Sequence, residues 1–335
     1  MKVLIVSQAQ VPALLTMADC MDVVSEALKA LARDEVILPL RPIMWLPEKV
    51  GALVLMPAFL GNLPAMGLKV ISVFPGNHNT EFDAHQGAVL LFETVHGQLL
   101  AIVDATAVTA IRTAAVSGLA TKLLAPPEAG DLAIFGTGTQ ARLHLEAMLL
   151  ARPIRRVRVW SRTPEHVRAF AERESARHNV RVEAAADPQS ALEGADLICT
   201  TTSATEPVLR GEWLRPGVHI NAAGSTVPFT RELDTAAMVK ARVYVDRRDS
   251  MLNEAGDYLF AHKEGALGPD HILGELGEVL LGRVAGRGAP EEITLFKSLG
   301  LAIEDVASAS HIYHRARANG GGTAIELGGS HFGSA

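Results

Sequence analysis

The sequence predicts an α/β protein, a doubly wound parallel sheet joined to a smaller α+β unit, on three observations. From Asp131 onward, short apolar strands alternate with helical segments, the pattern of a parallel sheet covered on both faces. Between Leu38 and Asp104, strands follow one another across Gly, Pro and Asn, which points to a mostly antiparallel sheet. Gly136-x-Gly138-x-x-Ala141 falls at a turn from a strand into a helix.

Each element has its local reason. Residues 3–6 form a short strand. A helix follows over "TMADCMDVVSEALKALARDE", where Thr16 and Asp19 have capping-box spacing and Val23, Val24, Ala27, Leu28 and Leu31 make one apolar stripe. "RPIMWL", "GALVLMPAFL", "GLKVISVF", "GAVLLFET" and "QLLAIVD" are the strands of the first sheet. "TAVTAIRTAAVSGLATKLLAP" is a helix that stops at Pro126-Pro127 and crosses to the second unit. There the strands are "LAIFG", "RVRVWS", "VRVEAA", "ADLICTTT", "VHINAAG" and "ARVYVD". Helices begin near Thr139, Pro164, Pro188 and Arg231, with Thr163 as a cap residue before a proline at the first helical position. "ITLFKSLGLAIEDVASASHIYHRARANG" reads as one long final helix, and Glu291-Glu292 as the cap of a helix start. "GTAIEL" is a late strand returning to the first sheet, and "GGSHFGSA" should fray.

The 335 residues suit two domains. A net charge of −6 argues against a general nucleic-acid binder. Cys20 and Cys199 offer neither a disulfide framework nor metal spacing, and they fit a reducing compartment. No apolar run approaches the roughly 20 residues of a membrane span, so no membrane partner is expected and the location expected is the cytoplasm. His311 and His314 lie one helical turn apart without an evident third ligand, so no metal is expected. His78, Asp83 and His85 gather near one loop.

The glycine turn has a mechanical reading. Gly136 permits the tight turn, Gly138 lets a pyrophosphate approach the backbone, and Ala141 lets helix pack on strand. Thr137, Thr139 and Gln140 complete the turn, whose free N–H groups meet phosphate. About 20 residues further on, an acid would hold the 2′-hydroxyl of NAD. Ser161, Arg162 and Thr163 stand there instead. A guanidinium and two hydroxyls suit a 2′-phosphate, so NADPH/NADP is expected ahead of NAD.

Three cations have apolar neighbours: Arg41 in "LPLRPIMWL", Lys69 in "MGLKVISVF" and Arg112 in "VTAIRTAAVSG". Charges so flanked are rarely buried without a partner, and no acid lies in those stretches. Together they make a shared anion site plausible.

At these residues the chain resembles the ornithine cyclodeaminase/μ-crystallin family, from about Thr16 to Leu327. The matching segments are "RP", "LMPA", "LKV", "HQGAVLLFE", "AIRTAAVSGLAT", "GTGTQA", "WSRT", "INAAGS", "RELD", "GELGEVLLGR" and "TLFKSLGLAIED". The resemblance implies a homodimer in which both chain ends build a substrate-binding and dimerisation domain, 1–120 with 312–335. An NADP-binding Rossmann domain, 121–311, lies between them in sequence. It implies that Arg41 and Arg112 grip a substrate carboxylate and that Lys69 stands beside the reacting carbon and nitrogen. His85 matches the family "HQ", with a pocket-lining or a structural role. Thr113, Thr200, Thr201, Thr202 and Ser203 are expected beside the cofactor, and Lys297 and Ser298 near its nicotinamide. A lysine near two cations should have a lowered pKa and make a better proton donor near neutral pH.

One position departs from the cyclodeaminases of the family. They carry an acid in the loop after the fifth Rossmann strand, where "NAAGSTVPFTRELD" places Thr226, or Ser225 if the register slips by one. A hydroxyl is no general base near pH 7, so deamination loses its proton acceptor. The expected activity is NADPH-dependent reduction of a 2-imino acid, a cyclic ketimine such as 1-pyrroline-2-carboxylate or 1-piperideine-2-carboxylate, to the L-amino acid. The rivals are an amino-acid dehydrogenase using a 2-oxo acid with ammonia or an amine, an ornithine cyclodeaminase, and a non-catalytic NADPH-binding protein like μ-crystallin.

Overall fold

A computed structural model of the chain describes residues 2–77 and 80–329. His78 and most of the tail expected to fray lie outside the described residues. The chain divides into two compact units, Met1–Arg112 with Leu301–Ala335, and Thr113–Gly300. The sequence reading sets the boundaries at 120/121 and 311/312. The C-terminal one moves because the last long helix starts at Ala302 and packs on the first unit.

The first unit is an eight-stranded sheet. Its strands are β1 (Lys2–Val6), β2 (Val36–Ile37), β3 (Ile43–Trp45), β4 (Ala52–Leu60), β5 (Ala65–Val73), β6 (His85–Glu93), β7 (Leu99–Asp104) and β16 (Thr323–Glu326). The order is β16-β1-β7-β6-β5-β4-β2, with β3 also on β4. All pairs are antiparallel except β1 with β7, and "GTAIEL" does return to pair with β1. A one-turn helix α1 (Val11–Leu14) precedes α2 (Met17–Ala32). Thr16 Oγ1 accepts the Asp19 N–H at 3.2 Å, the cap its spacing predicts.

Strand register decides which side chains turn inward. Met56 pairs with Lys69, and Lys69 with Val89, so these three share a face with Val54, Ala58 and Ile71. Helix α11 (Ala302–Asn319) lies on that face and packs in turn on α2. Gly67 sets the spacing: a Cβ there would meet Val306 Cγ2 at 2.7 Å and the Leu90 carbonyl at 2.8 Å. The opposite face holds Leu53, Leu55, Phe59, Leu68, Leu90 and Ile102, all half-buried.

Helix α3 (Ala105–Leu124) leaves β7 and carries the chain into the second unit. Length and composition alone would let it cross a membrane, contrary to the sequence expectation, but most of it is buried in protein. Arg112 interrupts its apolar run.

The second unit is a fully parallel eight-stranded sheet, ordered β10-β9-β8-β11-β12-β15-β13-β14. Its strands are β8 (Asp131–Phe135), β9 (Arg156–Trp160), β10 (Val182–Ala184), β11 (Leu197–Thr200), β12 (His219–Ala222), β13 (Arg242–Val245), β14 (Ile272–Glu275) and β15 (Thr294–Lys297). The chain steps one way from β8 to β10 and the other way from β11, so a crevice opens beyond the ends of β8 and β11. The helices are α4 (Thr139–Ala151), α5 (Pro164–His178), α6 (Pro188–Leu192), α7 (Thr235–Lys240), α8 (Arg248–Glu254), α9 (Gly256–Lys263) and α10 (Leu276–Leu280). Ile198, Ile220, Leu295 and Val243 pack with Leu192, Met238 and Tyr258 in its core.

Three expectations are corrected here. "ITLFK" is not the start of the final helix. It is β15, inserted between β12 and β13 and buried along its whole length. A strand buried on both faces lacks alternation, so periodicity does not separate it from a helix. Gly300, at φ +78°, then separates strand from helix. Glu292 caps no helix; it accepts the Gly288 N–H at 2.7 Å and pairs with Arg242 at 3.4 Å. The helix expected near Arg231 begins at Thr235, capped by Asp234, which accepts the Ala237 N–H at 2.7 Å.

Candidate active site

The turn after β8 has the shape its glycines require. Gly136 sits at φ +114°, and a Cβ there would strike the Thr201 carbonyl at 2.8 Å. Around Gly138 a Cβ would meet nothing within 4 Å, which leaves backbone open to a phosphate. No side chain caps the first turn of α4, so its N–H groups keep capacity for an anion, while Ala141 is buried against the sheet. At the end of β9, Ser161 is half-buried and Arg162 and Thr163 are exposed. Thr137 Oγ1 reaches Ser161 Oγ at 3.5 Å. No hydrogen bond or ion pair holds Arg162 among the described residues. The turn therefore fits a dinucleotide.

The neighbouring strand ends are tied from below by three buried carboxylates. Glu232 accepts Thr200 Oγ1 at 2.8 Å, Thr202 N at 2.6 Å, Thr202 Oγ1 at 2.7 Å and Gly224 N at 2.8 Å. Its pKa is raised, chiefly by burial. Asp257 accepts the N–H groups of Glu232 and Leu233 and pairs with Lys297 Nζ at 2.8 Å. Asp246 accepts Leu299 N and Gly300 N at 2.6 and 2.7 Å. These bonds lock the ends of β11, β12 and β15.

This network holds several of the residues expected beside the cofactor. Lys297 is fully buried, held by Asp257 and the Ser225 carbonyl, and braces the loop after β12. The hydroxyls of Thr200 and Thr202 are committed to Glu232, and that of Thr201 to the Phe135 carbonyl at 2.9 Å. They shape the crevice, whereas Ser203 is exposed. Ser298 is buried and its N–H donates to the Ala222 carbonyl. Thr113 is half-buried at the start of this unit. In the loop after β12, Ser225 is buried, with its hydroxyl on the Thr230 carbonyl and hydroxyl at 2.6 and 2.8 Å. Thr226 is half-buried beside it.

The first unit gathers the cations. Lys69 comes from β5 and Arg112 from α3, and both are buried. Two acids meet them from α11, neither of which the sequence reading singled out. Asp305 Oδ2 stands 2.7 Å from Lys69 Nζ, and Asp305 Oδ1 3.0 Å from Arg112 Nε. Glu304 Oε2 stands 3.0 Å from Arg112 Nη1. Arg112 was expected to present itself to a ligand; here two of its nitrogens already carry protein carboxylates. Thr109 Oγ1 accepts from Lys69 Nζ at 3.4 Å. Arg41, half-buried before β3, lies close enough for its charge to act on Lys69. The Lys69 pKa falls to about 8, mainly from burial and then from the Arg112 charge; Asp305 pulls the other way and Arg41 adds a smaller lowering. The direction is the one the sequence predicts, but burial outweighs the neighbouring cations as its cause. His85 heads β6 with an exposed side chain, and its carbonyl accepts Thr106 Oγ1 at 2.9 Å.

The glycine turn on a doubly wound sheet defines a dinucleotide-binding Rossmann protein, and a nicotinamide dinucleotide is the cofactor it suits. The chain matches the ornithine cyclodeaminase/mu-crystallin family over residues 1–320. Ketimine reductase mu-crystallin of Mus musculus is 43% identical over 275 residues, 82% of this chain and 84% of that protein. Delta(1)-pyrroline-2-carboxylate reductase of Bacillus cereus is 37% identical over 325 residues, 97% of this chain and 100% of that protein. The structure of Thermococcus litoralis Delta(1)-pyrroline-2-carboxylate reductase in complex with NADH and L-proline matches with a TM-score of 0.94 at 35% identity. It covers 96% of this chain and 100% of that one. The chain belongs to the ornithine cyclodeaminase/mu-crystallin family.

Proposed function

We propose that the protein reduces a 2-imino acid to the L-amino acid with NADPH. The substrate is a cyclic ketimine such as 1-pyrroline-2-carboxylate or 1-piperideine-2-carboxylate. The observation that carries this reading is Lys69: a buried ammonium beside Arg112, with its pKa brought to about 8. When bound, the nicotinamide supplies the hydride. Lys69 supplies the proton to the imine nitrogen, directly or through water. Lys69 and Arg112 meet Asp305 and Glu304, the Arg41 charge lies near enough to act on Lys69, and a substrate carboxylate would be drawn to this group of cations. Holding that carboxylate makes the adjoining carbon more electrophilic. The loop with Ser225 and Thr226 offers no carboxylate to accept a proton, which favours reduction over cyclodeamination. The relatives named as reductases of such imines support the same choice.

The test is NADPH oxidation with the two cyclic imino acids, beside pyruvate plus ammonia and beside ammonia release from ornithine. Turnover confined to pyruvate plus ammonia would make the protein an amino-acid dehydrogenase, and ammonia from ornithine a cyclodeaminase. Tight NADPH binding without turnover on any of them would favour a carrier.

The preference for NADPH rests on Arg162. A charge-assisted bond to phosphate contributes about 1.5–3 kcal/mol. Arg162→Ala should therefore cut kcat/KM for NADPH roughly ten-fold or more and leave that for NADH nearly unchanged. Equal losses with both coenzymes would remove the 2′-phosphate from the account.

The protein is proposed to act in the cytoplasm as a homodimer. The apolar outer face of the first sheet, from Leu53 and Phe59 to Ile102, suits a second copy of itself. Sedimentation should give twice the chain mass, and Leu68→Glu should give monomers. A wild-type monomer at micromolar concentration would count against the dimer.

A further inference from the structure

We infer that Asp305 is the positioning residue for the proton donor: it aims the Lys69 ammonium, keeps it cationic and ties it to the Arg112 guanidinium. The inference rests on the reading of Lys69 as that donor. Each oxygen of Asp305 takes one cation, Oδ2 at 2.7 Å from Lys69 and Oδ1 at 3.0 Å from Arg112. One carboxylate thus fixes the separation and mutual direction of two groups that arrive on different elements. Glu304 Oε2 reaches Arg112 and the Leu301 N–H. Gly67 lets α11 come close enough to β5 for the contact.

The other groups around Lys69 do not replace it. Arg112 from α3 and Arg41 from the segment before β3 both disfavour a charged lysine. Thr109, also on α3, is neutral and 3.4 Å away. On α2, Cys20 stands 3.9 Å from Ser308; burial pushes its thiol up to about 12, so it brings no charge. Glu304 is one residue removed and engaged with Arg112. Without the Asp305 charge, a buried lysine beside two guanidiniums releases its proton more readily.

The experiment compares kcat/KM against pH for wild type, Asp305→Asn and Asp305→Glu, with Lys69→Ala alongside. Dinucleotide affinity and thermal unfolding report whether each variant is folded. The alkaline fall in kcat/KM should move down by about one to three pH units in Asp305→Asn, the range an opposite charge at this distance produces. Asp305→Glu keeps the charge one methylene further out. It should keep the wild-type limb while kcat falls, and this decides the matter if Asp305→Asn does not fold. An unmoved limb in Asp305→Asn, or a fully active Asp305→Glu, overturns the inference. Turnover retained in Lys69→Ala overturns instead the reading beneath it.

Discussion

Lys69→Ala is expected to lose about 10²–10⁴-fold in turnover, the usual contribution of a positioned general acid, with NADPH affinity kept. The Rossmann turn and Lys69 belong to separate units, so losing the lysine leaves the turn's geometry intact. Wild type should show the matching pH dependence. Lys69 acts while protonated, so kcat/KM is level below its pKa of about 8 and falls above it. An acid limb at that pH instead, with activity rising as the lysine deprotonates, would make it a base. Steady-state oxidation of NADPH with a cyclic imino acid checks both points.

Arg112→Met should produce the largest loss of stability. Glu304 and Asp305 are fully buried, and Arg112 bonds both. Removing it takes a cation from both buried carboxylates, and breaking such a pair costs about 3–5 kcal/mol. Chemical unfolding should show the first unit melting early while the dinucleotide still protects the second. Arg41→Ala is the contrast. Arg41 is half-buried, so this variant should fold normally and show its loss in KM for the imino acid. Equal stability in the two variants would mean that the buried acids find other partners or take up protons.

The sequence made some of this site legible by one signal, a charge among apolar neighbours. It picked out Lys69 and Arg112, and both are buried. The same signal is present in "GLAIEDVASAS", where Glu304 and Asp305 have Ala, Ile and Val beside them. It was masked because "ITLFK" and this segment read as a single helix with an ordinary polar side. In the structure, residues 302–310 are buried all round, so those acids point into protein. Strand alternation and helix stripes recovered the first sheet and most of the Rossmann helices, since each of those elements has one wet face. They failed at β15, which has none. Lys297 ends that strand, and its pairing with Asp257, which lies forty residues away in the chain, is likewise not legible in the sequence.

Helix α11 follows the whole second unit in the chain, yet it supplies the acids that face Lys69 and Arg112. During translation, those two bases therefore wait for partners until residues 304 and 305 have been made. The nucleotide-binding half ends at Gly300, only a few residues earlier, but holds none of these four charges and is free to fold without them. Chains halted near residue 300 should accumulate with that half resistant to protease and the other half open to it.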